Sequence, residues 1–158
     1  MLKLSKKSEY ALLVLHHLGG LDCGDKATVS EISEAQAAPK ELLAKIMQLL
    51  KRSGLLVSTK GVAGGYALAR PLDAIGFLEA VRPFEGYVGL SKCSDPGPQI
   101  CERADCCALT GPMVALNAHI MRQLQTLTVD DFLAMRAPPS SPRAINGPSL
   151  MAVAAKAS

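Results

Sequence analysis

No stretch of this sequence approaches the roughly 18 consecutive apolar residues that a membrane-crossing helix needs, so a membrane protein is excluded. The opening residues, Met1-Leu2-Lys3-Leu4-Ser5-Lys6-Lys7, pass straight into an amphipathic segment and lack the apolar core and small-residue cleavage site of a secretory signal. The expected compartment is the cytoplasm. Cysteines are few and odd in number, five in all, and four of them fall between Cys93 and Cys107. In a reducing compartment that distribution argues against a disulfide framework and points to a metal or a thiol switch. No C-x2-C or C-x3-C pair of the kind common at zinc sites is present, and the C-x-x-C motif and βαβ pattern of a thiol oxidoreductase are missing. There is no internal repeat.

What is present is one domain's worth of chain. Its 158 residues can bury roughly two thirds of their unfolded surface, and 49% hydrophobic with 20% charged residues fits a soluble globular protein. The net charge of +3 is unevenly spread: residues 1–70 carry a net +4, residues 71–133 a net −4, and residues 134–158 have three basic groups and no acid. The first segment therefore attracts polyanions and the middle does not.

Ala11, Val14, Leu15 and Leu18 recur at helical spacing until Gly19-Gly20. Thr28-Val29-Ser30-Glu31 has the form of a capping box and opens a short helix to about Gln36. Pro39 suits a first helical position, and Leu42, Leu43, Ile46, Leu49 and Leu50 define a buried stripe before Gly54 stops the third helix. Two strand-like runs, Leu55–Ser58 and Tyr66–Ala69, flank the glycine-rich turn Lys60-Gly61-Val62-Ala63-Gly64-Gly65. This order predicts a mainly α fold, a winged helix-turn-helix with a two-stranded wing over residues 1–82. Residues 73–82 read as a further short helix ended by Pro83, and 83–110 as an aperiodic cysteine-containing loop. Met113, Leu116, Ile120, Leu124 and Leu127 give one apolar seam on a long helix within 111–133, predicted to pair with a second copy; the alternative is packing onto the chain's own winged domain. Thr128-Val129-Asp130-Asp131 is a second capping sequence, starting a last turn with Phe132-Leu133. Residues 134–158, rich in Pro, Ser and Ala, read as a disordered tail.

Two constellations carry chemistry. A recognition helix in the major groove would present Lys40, Glu41, Ala44, Lys45 and Gln48 at or near base edges, with Lys45 and Gln48 foremost. Lys51, Arg52 and the wing's Lys60 suit phosphates. Each of these residue types is equally at home on a solvated helix face, and the wing is what favours DNA. The second constellation is Cys93-x7-Cys101-x5-Cys107, with Cys106 beside the last. Thiolates on a loop can converge on one soft cation or a cluster, or remain free thiols; without a visible fourth ligand, zinc ranks below an iron–sulfur cluster. Cys23 stands alone and reads as an ordinary thiol. His16, His17 and His119 read as surface or boundary histidines.

The opening Leu4-Ser5-x3-Glu9-Tyr10-Ala11-Leu12, the Glu31-Ile32-Ser33 of the second helix, Leu49-x4-Gly54-Leu55, the wing Lys60-Gly61-x2-Gly64-Gly65-Tyr66-x-Leu68-Ala69, and the cysteine loop ahead of a long helix resemble the Rrf-two family of bacterial transcription regulators, the IscR, NsrR and CymR group. The resemblance covers residues 2 to about 133 and is carried most specifically by the wing together with the cysteine loop. It implies a homodimer on an operator in double-stranded DNA, contacted also by Gly61, Gly64, Gly65 and Tyr66, and a regulator rather than an enzyme. It further implies an iron–sulfur cluster, 2Fe-2S in preference to 4Fe-4S, near the dimer interface and held by Cys93, Cys101 and Cys107. Cys107 is preferred because Ala108-Leu109 matches the family's approach to the long helix, with Cys106 as its alternative. The x7 spacing is longer than the family's usual one. Where IscR-like members have a histidine ligand this chain has Thr110, a poor one; NsrR-like members use an acidic residue of the other subunit, which places Glu9 here as fourth ligand. Glu9 reads equally as a first-turn carboxylate favoured by the helix dipole. The expected signal is iron–sulfur, redox or nitric oxide status, with cluster-assembly genes as the favoured target. The rivals are a cluster-free thiol switch at Cys101, Cys106 or Cys107 and, from another class, a thiol oxidoreductase using Cys106-Cys107.

Overall fold

The computed structural model describes residues 4–22, 24–61, 64–95, 101–103 and 106–135; Cys23 and most of the expected tail lie outside them. Helix α1 spans Lys6–Gly19, with Ser5 as its cap, and buries Ala11, Leu12, Val14, Leu15 and Leu18. Helix α2, Val29–Gln36, opens on a complete capping box: the Thr28 hydroxyl accepts from the Glu31 N–H, and the Glu31 carboxylate accepts from the Thr28 N–H. It stops at Ala37, which takes the left-handed conformation at φ 47°. Pro39 then prevents α2 from running on, because its ring disfavours helical backbone at Ala38.

Helix α3 spans Lys40–Arg52. Pro39 is the residue before its first turn, not in it. The buried stripe is Leu43, Ile46, Met47 and Leu50; of the five residues expected there, Leu43, Ile46 and Leu50 are buried, whereas Leu42 and Leu49 are half-buried flanks. Positions i, i+3, i+4 and i+7 share the core-facing line, which from Leu43 takes in Ile46, Met47 and Leu50 and leaves Leu42 and Leu49 at its margins. The helix ends where Gly54, at φ +74°, lets the Leu55 N–H bond back to the Leu50 carbonyl.

Strands β1, Leu56–Thr59, and β2, Gly65–Leu68, pair antiparallel with Leu56 opposite Leu68 and Thr59 opposite Gly65. Ala27 joins them through two backbone hydrogen bonds with Tyr66, at 3.0 and 2.8 Å. The fold is thus mainly helical with a two-stranded wing. Residues 72–74 form a 3-10 turn, and α4 runs Phe77–Glu85 with Pro83 inside it. The sequence expectation of a helix over 73–82 stopped by Pro83 is corrected here. Proline removes one backbone bond in the last turn, but burial of Phe77, Leu78, Ala80 and Val81 holds the helix, at about 1.5–3 kcal/mol for each large side chain.

A second 3-10 turn covers Lys92–Ser94, followed by α5, Thr110–Thr126, and α6, Val129–Ala134. The chain breaks helix at Leu127, so the long helix is two. That break is stitched to the front of α4: the Phe77 N–H donates to the Leu127 carbonyl and the Val129 N–H to the Ile75 carbonyl, both at 2.8 Å. The apolar seam of α5 divides accordingly. Leu124 and Leu127, with Met121, pack on this chain's own core, which corrects the expectation that all five seam residues await a second copy. Leu116 is 49% exposed and Val114 43%. Among the described residues no helix is long and apolar enough to cross a membrane.

Candidate nucleic-acid interface and cysteine loop

With one side of α3 committed to the core, the other is fixed by geometry. Lys40, Glu41, Lys45, Gln48, Lys51 and Arg52 are exposed and Ala44 is half-buried. Glu41, Lys45, Gln48 and Arg52 follow four-three-four spacing and form one outward line, and Ala44 beside them keeps the surface low. The single acid sits in the first turn and Lys51 and Arg52 in the last, the sense favoured by the helix dipole. The structure therefore brings the predicted base-reading residues onto one face. Lys51 also braces the wing, since its Nζ donates to the Ser58 Oγ at 2.6 Å and ties the end of α3 to β1. Arg52 and Lys60 are exposed and make no ion pair among the described residues.

The wing turn depends on glycine for two different reasons. Gly61 sits at φ +110°, a conformation side chains rarely adopt. At Gly64 the constraint is space, because a Cβ there would lie 2.5 Å from the Thr59 carbonyl oxygen and 2.8 Å from that of Gly61. A Cβ on Gly65 would stand 3.0 Å from the Ala27 carbonyl oxygen. Tyr66 is half-buried against the core, and its backbone holds the wing to the start of α2.

Sequence reasoning missed the anchor of α1. The Glu85 Oε1, at the end of α4, accepts from the Ser5 N–H and the Ser8 Oγ, each at 2.6 Å. Burial works against the charged carboxylate, yet these bonds hold its pKa below the ordinary value. The available signal was Ser8, a polar residue in register with the buried Ala11, Leu12 and Leu15 and itself fully buried. One residue on, Glu9 is half-exposed and paired with Lys6 at 2.7 Å, an exposed contact that leaves its carboxylate accessible; beside it the Lys6 pKa is raised.

Cys93, Cys101, Cys106 and Cys107 are free thiols, the first two half-buried and the last two exposed. Cys93 lies on the 3-10 turn that packs against α5, its Sγ 3.1 Å from the Ser91 Oγ, and the Leu90 N–H next to that turn donates to Asn117 of α5 at 3.0 Å. Cys107 leads into α5, its carbonyl accepting from the Thr110 N–H. The Cys106 Sγ faces the Arg103 carbonyl at 3.7 Å. Free, accessible sulfurs beside one helix fit a thiophilic iron centre as a donor set. Among the described residues, however, no three Cys, His, Asp or Glu side chains stand together as metal ligands, so the predicted donor set is not gathered there.

The Rrf2 model of iron-dependent transcriptional regulators matches residues 4–135. The chain is 31% identical to the protein aau3 of Rhizobium meliloti (strain 1021) over 137 residues, 85% of this chain and 87% of that one. It is 28% identical over 132 residues to the HTH-type transcriptional regulator NsrR of Oceanobacillus iheyensis, covering 84% and 90% of the two chains. Among solved structures it is similar in fold to CymR, the global cysteine regulator of B. subtilis, with a TM-score of 0.67 at 22% identity over 87% of this chain and all of that one.

Proposed function

This chain belongs to the Rrf2 family of transcriptional regulators, and from that premise we propose that it acts as a homodimer that reads an operator through α3 and the wing and senses through an iron–sulfur cluster. In this reading Lys45 and Gln48 meet base edges, aided by Lys40, Glu41 and Ala44. Lys51, Arg52 and Lys60 neutralise phosphates, while Gly61, Gly64, Gly65 and Tyr66 shape the wing so that it can lie against the backbone. Cys93, Cys101 and Cys107 are the sulfur donors, with Cys106 as the alternative to Cys107, and Glu9 of the second copy supplies the fourth donor. A bound cluster, 2Fe-2S in preference to 4Fe-4S, supplies thiolate-ligated iron whose integrity depends on oxidants, nitric oxide and iron–sulfur supply. Control of cluster-assembly genes, in the cytoplasm, is the setting that fits.

The observation that carries this reading is the division of α5. Its far end is fixed into the winged domain through Met121, Leu124 and Leu127, while its cysteine-bearing end leaves Leu109 64% exposed and Val114 and Leu116 half open. Apolar groups of that size beside accessible thiols suit a twofold contact at which sulfur chemistry adjusts the spacing of two reading heads. A preference of 1.4 kcal/mol between two dimer geometries shifts relative DNA affinity about tenfold.

The test is absorption and electron paramagnetic resonance of protein purified without air. Thiolate-to-iron bands should appear in the wild type and vanish in Cys93→Ala. Colourless protein that also takes up no iron and sulfide rejects the cluster. Exposure of Cys106 and Cys107 favours one second reading, a thiol switch in which these sulfurs are oxidised directly. Under it, DNA affinity responds to peroxide in protein that holds no iron.

A further inference from the structure

Away from both constellations, a cavity of about 540 Å³ opens between the end of α1, the segment leaving β2 and the first turn of α6. Leu18, Leu21, Leu68 and Leu72 supply apolar lining, and Asp22, Asp25, Asp73 and Asp130 contribute four exposed carboxylates. None of the four has a side-chain hydrogen bond or ion pair among the described residues. The one cationic residue in the lining, Arg70, is already engaged by the Glu79 carboxylate and the Ala74 carbonyl. The cavity is thus apolar within and anionic at its edge, on a chain whose net charge is positive.

We propose that residues 136–158 of this same chain occupy it. The segment has the complementary charge, Arg136, Arg143 and Lys156 with no acid, and it carries apolar side chains at Ile145, Leu150, Met151 and Val153. The chain also leaves the fold at the right place, since Asp130 lines the cavity and α6 delivers the chain to Met135 only five residues later. Ten further residues to Ile145 span up to about 35 Å when extended, so reach does not limit docking. Exposed ion pairs are each weak, so the contact rests on apolar burial guided by charge and loosens as salt shortens the screening length. Docking directs the tail's three positive charges to the chain's own carboxylates instead of to DNA phosphates.

The experiment uses the full chain. A carbodiimide joins a lysine to a carboxylate in contact with it, and peptide mapping should find Lys156 linked to Asp22, Asp25, Asp73 or Asp130. Hydrogen exchange of amides 136–158 should be slowed at least tenfold relative to a free peptide of that sequence. The exchange protection should fall in the isosteric triple variant Asp22→Asn, Asp25→Asn, Asp73→Asn, which keeps the apolar lining and removes most of the guiding charge, with circular dichroism confirming that it folds; protection equal to that of the wild type would mean that charge does not guide the docking. Links from Lys156 to other carboxylates only, or exchange as fast as in the peptide, overturn the proposal. So does a variant with Arg136, Arg143 and Lys156 changed to Gln whose DNA affinity has a shallower salt dependence by up to about three charges, because the tail would then be a phosphate-binding arm.

Discussion

Replacing Glu85 by Gln tests whether the start of α1 is held to the end of α4 by charge. The side chain keeps its size and an acceptor oxygen, so what is lost is the difference between a charged and a neutral acceptor in two bonds, from the Ser5 N–H and the Ser8 Oγ. Hydrogen bonds to charged groups contribute about 1.5–3 kcal/mol against about 1 for neutral ones, which gives a difference of roughly 2 kcal/mol for the pair. Burial of the carboxylate opposes its ionisation and offsets part of this, leaving about 1–2 kcal/mol at pH 7. For a chain of this size that lowers Tm by roughly 2–8 °C. The sign of the pH dependence follows from the same bonds. Because the folded-state pKa of Glu85 is depressed, its contribution is present above the unfolded-state value and is lost as pH falls through the folded one. Urea unfolding followed by circular dichroism should therefore show the wild type and Glu85→Gln far apart at neutral pH and converging below about pH 4. Equal stabilities at pH 7, or a gap that does not close in acid, refute the assignment of a charged anchor.

Other substitutions separate the parts of the DNA face. Lys45→Ala should weaken binding to the operator more than to unrelated DNA, whereas Lys60→Ala should weaken both alike and flatten the salt dependence by up to about one charge; wild-type binding by both variants would show that the face is misassigned. Gly64→Ala places a Cβ 2.5 Å from the Thr59 carbonyl oxygen, so the wing turn must open. DNA affinity in a gel-shift titration should fall while the helical signal is kept, and unchanged affinity would mean the wing does not touch DNA. Leu116→Asp puts a charge on a half-exposed apolar position of α5. Sedimentation should then show a shift from dimer towards monomer with little change in monomer stability, and an undisturbed dimer would place the twofold contact elsewhere.

The elements that could be read from sequence are those whose signals are local. Thr28 and Glu31 close their capping box within one turn, Gly54 stops α3 at positive φ, and the glycine-flanked turn between β1 and β2 marks the wing. The same motifs identified the Rrf2 family. What could not be read depends on contacts distant in sequence. Nothing near Pro83 reveals that α4 continues through it, because the burial that holds the helix comes from Phe77, Leu78, Ala80 and Val81 against other elements. The Glu85 anchor joins residues 77 and 80 apart. The apolar period of α5 is correct as a period, but periodicity does not say which neighbour covers it, and the chain itself covers Leu124 and Leu127. The cysteines were legible as residue types and spacing; among the described residues they are not gathered into a ligand set, and spacing alone does not encode how thiols on a loop lie in space.

Under the proposed function, that partial covering of α5 decides how a change at the cysteines would reach α3. The 17 residues of α5 extend about 25 Å. Its C-terminal half is fastened to the winged domain by Met121, Leu124 and Leu127 and by the two backbone bonds that tie Leu127 and Val129 to the front of α4. Through α4 and α1 this end is continuous with the core that holds α3, where Leu43, Met47 and Leu50 are fully buried. A helix clamped at one end into a close-packed core moves with that core rather than bending, because kinks need a proline, a bulge or an inserted group. Pro112 lies in the opening turn of α5, outside the clamped half. A tilt imposed where Cys93 and Cys107 meet α5 is therefore passed to the winged domain as rigid rotation. Half-sites on DNA repeat at about 34 Å, so under the proposed function a few degrees about a lever of that order displaces each α3 by ångströms, enough to take Lys45 and Gln48 out of hydrogen-bond range of base edges. The prediction that separates this from local unfolding is hydrogen exchange. When the thiols are alkylated, the amides of α3 should keep their protection while DNA affinity falls; loss of α3 protection would show that the signal travels by melting the helix instead.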